Sequence, residues 1–334
     1  MKTLIFVNSN KSVDQAFIIN GFLELNHQVD IALINSIISE NYEIFADVIT
    51  VTEKVSLYGE VVGEIKNCKI EDYDLIWVMN QPHEILAKDV WQLLWMLSKR
   101  VPFVNSIESL VFLNNKNNLG MIVPKENLVK TYVGHSFEYL HTKIVEEDNE
   151  EWIVKPTNGG CGADVYYIKP EGENTKVILQ SMTGNGLANA TIVNDTNLIG
   201  IKNKYAVLQE YIPEVKMGEK RVIIAGGQVI GSHGRSLAAN DHRSNITQGG
   251  SFFQSDLTAE EQKLCDVVAK NLLEVGVGYV GIDISYPYVL EFNMVNPGGI
   301  DDIFDLTEVN ITKEVINSII SAKLDKASMS MKGC

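Results

Sequence analysis

Residues 277–299 read Val277-Gly278-Tyr279-Val280-Gly281-Ile282-Asp283-Ile284-Ser285-Tyr286-Pro287-Tyr288-Val289-Leu290-Glu291-Phe292-Asn293-Met294-Val295-Asn296-Pro297-Gly298-Gly299. The first part is short, apolar and β-branched, which predicts a strand; Pro287 marks a turn, and Val289 to Asn293 predicts the returning strand. Side chains two apart on a strand face the same way, so Glu291 and Asn293 point together. A turn near Pro287 brings Asp283 across from them. Three hard oxygen donors then converge in an apolar hairpin, where a lone buried charge is very costly. Mg²⁺ takes such donors, usually one or two carboxylates with phosphate oxygens completing its shell. By itself the stretch fits either a Mg²⁺–nucleotide site or two solvated acids on an edge hairpin.

The composition narrows the classes. A chain of 334 residues has room for two or three domains and a substantial core. Its 45% hydrophobic and 21% charged residues are those of an ordinary soluble globular protein. A net charge of −15 argues against general binding to nucleic acid or anionic membranes. Cys68, Cys161, Cys265 and Cys334 have neither CxxC nor zinc spacing and read as free thiols of a reducing cytoplasm. The apolar run at the start stops at Asn8, too short for a signal peptide core, and reads as a first strand.

From the N-terminus, a strand at 3–7, a helix at 14–25 and a strand at 29–33 give a βαβ rhythm, hence α/β with a doubly wound parallel sheet. No GxGxxG follows the first strand. Residues 50–55 and 61–70 fit a hairpin, and 75–79 a further strand. Asn80-Gln81-Pro82-His83-Glu84 follows it, either a ligand-facing turn at the carboxyl end of the sheet or a plain turn before a helix at 84–98. The domain closes at 103–105, and a helix at 106–120 carries Lys116.

Trp152-Ile153-Val154-Lys155-Pro156 predicts a strand holding a lysine, followed by a loop with Gly159, Gly160, Cys161 and Gly162. Glycines let backbone N–H groups approach a phosphate, and the lysine adds a point charge; a glycine-rich hairpin with an edge lysine is the alternative. Gln209, Glu210, Tyr211 and Ile212 end a strand able to present backbone groups to an adenine edge. Glu219 and Arg221 fit a ribose hydroxyl acceptor and a bidentate anion binder, or a cross-strand ion cluster. Residues 235–250, with Arg235, Arg243 and Asn245, are locally basic and read as a closing loop. A helix at 258–274 has Thr258 and Glu261 as a capping box, Leu264, Val267, Val268 and Leu272 inward, and Gly276 past its end. A last helix covers 315–320, and residues 324–334 read as a disordered tail.

In this order and spacing the segments resemble the ATP-grasp carboxylate–amine ligases, and among them the bacterial glutathione synthetases, most strongly over about 150–295. The resemblance implies an N-terminal α/β substrate domain at 1–105 and an ATP-grasp domain at 106–323, split near 212 into a lid and a C-terminal subdomain. It implies that Lys116 and Lys155 bind ATP phosphates, that the 159–162 loop covers them, that residues 209–212 line the adenine and that Glu219 takes the ribose. Asp283, Glu291 and Asn293 would hold two Mg²⁺, with Mn²⁺ as a substitute; Arg221 and Arg235 would stabilise the transferred phosphoryl, and Arg243 and Asn245 would close the site. The activity implied is ATP-dependent amide formation through an acyl phosphate, with γ-glutamylcysteine and glycine as leading substrates and another acid and amine as the alternative. Homo-oligomers are implied, with neither nucleic-acid nor membrane partners. The family's charged Arg-Lys-Asp-Pro-Pro-type stretch is replaced here by Asn80-Gln81-Pro82, and Val295-Asn296-Pro297-Gly298-Gly299 also departs from it.

Overall fold

The computed structural model describes residues 1–10, 13–57, 59–160, 162–184, 204–236 and 250–332. Its first sheet holds β1 (Lys2–Val7), β2 (Gln28–Leu33), β3 (Ile38–Glu40), β4 (Glu43–Thr50), β5 (Ile65–Lys69) and β6 (Leu75–Val78). Leu4 to Val7 are fully buried, as a central strand covered on both faces requires. β1 runs parallel to β2 on one side and to β6 on the other. The helices α1 (Val13–Glu24) and α2 (Ala87–Leu97) belong to this part.

The parallel centre carries an antiparallel edge, because β4 pairs antiparallel with β2, β3 and β5. The hairpin expected from 50–55 and 61–70 is therefore displaced. Its first arm is Glu43–Thr50, where Ile44, Ala46 and Val48 alternate inward. The Asp30 carboxylate accepts from the Val51 N–H (3.2 Å), just beyond the strand's end. The expected helix at 106–120 is also broken: a π-helical turn at Ser109–Leu113 gives way to a 3₁₀ helix at Lys116–Met121. Between them the Asn115 side chain accepts from the Asn117 N–H at 3.0 Å, a local bond that competes with helix continuation.

The second sheet, of β7 (Thr131–Gly134), β8 (Trp152–Pro156), β9 (Tyr166–Ile168) and β10 (Ala206–Glu210), has the order β7-β10-β8-β9. It carries α3 (Phe137–Glu146) and α4 (Thr175–Thr183). Leu140, Ile144, Trp152, Val154, Ile168, Leu179, Ala206 and Leu208 form a core of its own.

The third sheet holds β11 (Glu219–Ala225), β12 (Gln228–Ser236), β13 (Ser251–Phe253), β14 (Tyr279–Ser285) and β15 (Tyr288–Asn293), in the order β13-β12-β11-β14-β15. α5 (Ala259–Glu274) packs Leu264, Val268 and Leu272 into the core shared with Val222, Ile224 and Ile282. The Thr258–Glu261 capping box is formed, and Gly276 takes φ +91°. Val267, expected inward, is 46% exposed, since the buried stripe advances by four residues and leaves it to one side. α6 (Ile300–Thr307) and α7 (Thr312–Lys332) complete the chain. The expected disordered tail is helical as far as Lys332; the segment holds no proline, and its Ala, Met and Lys residues favour helix.

Unlike the second sheet, the first and third share cores; Phe6, Phe103, Val277 and Ile282 belong to one cluster. Asn105 straps them together. Its Nδ2 donates to the Tyr279 and Met294 carbonyls at 2.8 and 3.0 Å, and its Oδ1 accepts from the Gly278 and Tyr279 N–H groups, both at 2.8 Å. Among the described residues no helix is long and apolar enough to cross a membrane.

Candidate active site

One rung of the third sheet supplies most of the charge. Antiparallel register places His233 opposite Arg221, Arg221 opposite Asp283, and Asp283 opposite Glu291. Directly opposed residues share a face, so four polar side chains cross the sheet in a row. Arg221 grips Asp283 with two hydrogen bonds, Nε to Oδ1 at 2.5 Å and Nη2 to Oδ2 at 2.9 Å, and its Nη1 donates to the Pro297 carbonyl. Arg235 Nη1 lies 3.7 Å from the same carboxylate. Asn293 Nδ2 donates to Asp283 Oδ2 at 3.1 Å. Burial alone would raise the Asp283 pKa; Arg221 and Arg235 override it and hold the carboxyl below the usual carboxylate range. Burial, with help from Arg235 and Arg221, pulls His233 down to about 3, so the imidazole is neutral. A register shift after Asp283 pairs Ile284 with Val289, which leaves Leu290 as the extra residue of a bulge.

The second sheet contributes by alternation. Trp152 and Val154 turn inward to its core, so Ile153 and Lys155 face the other way. Lys155 Nζ donates to Gln209 Oε1 at 2.9 Å, and Gln209 Nε2 to Thr131 Oγ1 at 2.9 Å. Burial pulls the Lys155 pKa down to about 8, the Glu291 carboxylate pushing back and Lys116 adding to the fall. Lys116 bridges the halves, with Nζ 2.9 Å from Glu291 Oε1 and donating to the Gly159 carbonyl at 2.7 Å.

Two adjoining cavities meet at Lys116, Gly159, Gly160 and Glu291. The smaller, about 130 Å³, is lined by Lys155, Gly162, residues 209–212, Glu219 and Asp283 as well. Lys116, Lys155, Gly159, Gly160, Gly162, residues 209–212 and Glu219, all expected around ATP, thus line a single cavity, whereas Arg221 and Arg235, expected at the transferred phosphoryl, line neither of the two. Ile153, Pro156, Ala163, Val165, Val215 and Leu290 complete the smaller cavity; their positions there were not anticipated, although Ile153 stands two residues from Lys155 and alternation alone points to it. Gly159 (φ +142°) and Gly162 (φ +66°) hold backbone conformations that side chains resist. The larger cavity, about 610 Å³, includes Asn293, and on the first-sheet side Asn8, Asn80, Gln81 and Trp91. Arg243, Asn245 and Cys161 lie outside the described residues.

Asp283, Glu291 and Asn293 suit a hard cation. Each carboxylate is already matched to positive charge, Glu291 by the Lys116 ammonium and Asp283 by Arg221. Asn293 spends its N–H₂ on Asp283, which leaves its carbonyl oxygen as a donor. Two carboxylates and an amide are too few for an all-protein cage; among the described residues no three His, Cys, Asp or Glu side chains converge to hold a metal. Such a set fits Mg²⁺ held jointly with phosphate oxygens.

A lysine-bearing sheet facing an acid-bearing sheet across a glycine loop defines an ATP-grasp ligase, an enzyme that joins a carboxylate to an amine at the expense of ATP. The model of the prokaryotic glutathione synthetase ATP-grasp domain matches residues 119–310, and the chain belongs to that family. Glutathione synthetase of Prochlorococcus marinus subsp. pastoris is 27% identical over 259 residues, 77% of this chain and 78% of that one. Glutathione synthetase of Synechocystis sp. is 22% identical over 328 residues, 90% and 97% of the two chains. The crystal structure of D-cycloserine synthetase DcsG has the same fold, with a TM-score of 0.62 at 11% identity over 97% of this chain and 99% of that one. The family uses ATP and a divalent metal.

Proposed function

We propose that this ligase is a glutathione synthetase, joining γ-glutamylcysteine to glycine with conversion of ATP to ADP and phosphate. The observation that supports it best is the meeting of Lys116, Lys155, Asp283 and Glu291, from separate segments, around one cavity. A carboxylate is a poor electrophile. Its oxygen attacks the γ-phosphoryl, ADP leaves, and the resulting acyl phosphate is displaced by the glycine amine with loss of phosphate and a proton. Lys116 and Lys155 hold the phosphates, residues 209–212 the adenine and Glu219 the ribose. Arg221 and Arg235 stabilise negative charge spread over the transferring phosphoryl and the acyl phosphate. Asp283, Glu291 and Asn293 would hold two Mg²⁺, replaceable by Mn²⁺, which would supply positive charge to neutralise the phosphates. Residues 1–105 form the substrate domain and 106–323 the ATP-grasp domain, and the enzyme is a cytoplasmic homo-oligomer.

The test is phosphate release from MgATP by the full chain. Release is expected only when γ-glutamylcysteine and glycine are supplied together. No release above background with both present would overturn the substrate assignment and leave the ligase class standing.

A further inference from the structure

The larger cavity has a wall that the chemistry above does not use. β1 runs parallel to both β2 and β6. After β1 the chain enters α1, whose Phe17 and Ile18 belong to the cluster of Ile5 and Val7. After β6 it leads to α2, whose Val90 and Leu94 belong to the cluster of Leu4 and Phe6 on the opposite face. Where neighbouring parallel strands send the chain to opposite faces, a crevice opens outside their carboxyl ends, and open α/β sheets bind ligands there. Asn8 directly follows β1, Asn80 lies just past β6, and both line the cavity of about 610 Å³.

Asn80 is held in one orientation. Its Oδ1 accepts from the Asn8 backbone N–H and from Gln15 Nε2, both at 3.1 Å. A backbone N–H only donates, so the oxygen lies on that side and the amide cannot be turned over. Gln15, on α1, is 3% exposed and braces Asn80 from inside the fold. With the carbonyl taken, what the side chain has left to offer is its N–H₂ group. Asn80 Nδ2 donates to no group among the described residues, and Asn80 is only half-buried. The cavity therefore meets a hydrogen-bond donor whose aim is set before any ligand arrives, which lowers the entropy lost on binding.

The far end of the cavity indicates what it meets. There the wall is shared with the nucleotide cavity, at Lys116, Gly159, Gly160 and Glu291. In the ligase reading, on which this step rests, the reacting carboxylate meets the γ-phosphoryl at that shared wall. The remainder of the acid then runs along the larger cavity toward the first sheet, and the volume is that of a site for a whole small molecule. We infer that Asn80 is a substrate-binding residue: its Nδ2 donates to an oxygen of the acid beyond the reacting carboxylate, while the Asn8 N–H and Gln15 position it.

Asn80→Asp separates this role from a structural one. A carboxylate accepts from the Asn8 N–H and from Gln15 as the amide oxygen does, so the strap between β1, α1 and β6 is kept. The cavity, however, receives an oxygen in place of the N–H₂ donor. Steady-state kinetics of the full chain are measured with MgATP, γ-glutamylcysteine and glycine, each varied in turn. Asn80→Asp is expected to melt with wild type and to raise the KM for the acid about tenfold or more, with kcat and the KM values for ATP and glycine within about twofold. Asn80→Ala, which loses strap and donor together, should melt lower and show the same weakened use of the acid. A folded Asn80→Asp that keeps the wild-type KM for the acid would overturn the inference, and so would a KM for ATP that rises as much as that for the acid. If wild type releases no phosphate with γ-glutamylcysteine and glycine, the glutathione reading fails separately. The same comparison is then made with the peptide acid that does drive release, and its outcomes count in the same way.

Discussion

Lys155 gives the sharpest test of the nucleotide site. Its ammonium is buried against the neutral Gln209 amide, and burial pulls its pKa down to about 8, below the ordinary lysine value of about 10.4. That difference opposes the charged form by about 3 kcal/mol. A triphosphate alongside favours the charged form again, so ATP binding takes up a proton. The uptake should be about 0.5 proton per site at pH 8 and about 0.1 at pH 7, from the fraction of ligand-free Lys155 that is neutral. It follows that ATP affinity falls as the pH rises above about 8. For folding the sign is worked out separately. Between about pH 8 and 10.5 the unfolded chain binds more protons than the folded one, so the penalty from this lysine is fully present below pH 8 and is relieved as the pH rises through that window. Isothermal titration of the full chain with MgATP in two buffers of different ionisation enthalpy measures the uptake, and Lys155→Met should abolish it. Binding at pH 8 without proton uptake, or uptake that survives in Lys155→Met, would refute the reasoning.

Other perturbations test the neighbouring parts. Glu291→Gln removes a carboxylate from the wall common to both cavities and should lower kcat/KM by about 100-fold or more at saturating Mg²⁺; full turnover would exclude it from the machinery. Arg221→Met leaves Asp283 buried without its bidentate partner and should cost about 3–5 kcal/mol in urea unfolding, most of it recovered in Arg221→Met/Asp283→Leu. Asn105→Ala strips four hydrogen bonds from buried backbone groups and should lower stability by about 2–4 kcal/mol, read from the same unfolding curves.

The parts of the site legible from sequence are those whose position follows from a local rule. Asp283, Glu291 and Asn293 share a face because strands alternate, and the turn at Tyr286-Pro287 leaves only one short hairpin to build. The bulge at Leu290 follows from pairing, not from local sequence, and so the apolar wall of the nucleotide cavity was hidden. Asn105 read only as the close of the first domain; its partners lie 174 and 189 residues away. The edge of the first sheet was misread for a related reason. The β4 alternation of Ile44, Ala46 and Val48 is clear once the strand is known, but it lies between two stretches that also fit strands.

The apolar residues beneath β8 and β10 belong to a cluster that takes no member from the other two sheets. That plate can tilt as a unit without opening the interior of its neighbours. What fastens it includes the polar reach of Lys116 to Gly159 and Glu291. On the proposed reading, a nucleoside triphosphate gripped by Lys155 above and by the Asp283–Glu291 wall below would become a rivet between two plates, and breaking its terminal bond would loosen the joint at the moment the product is ready to leave.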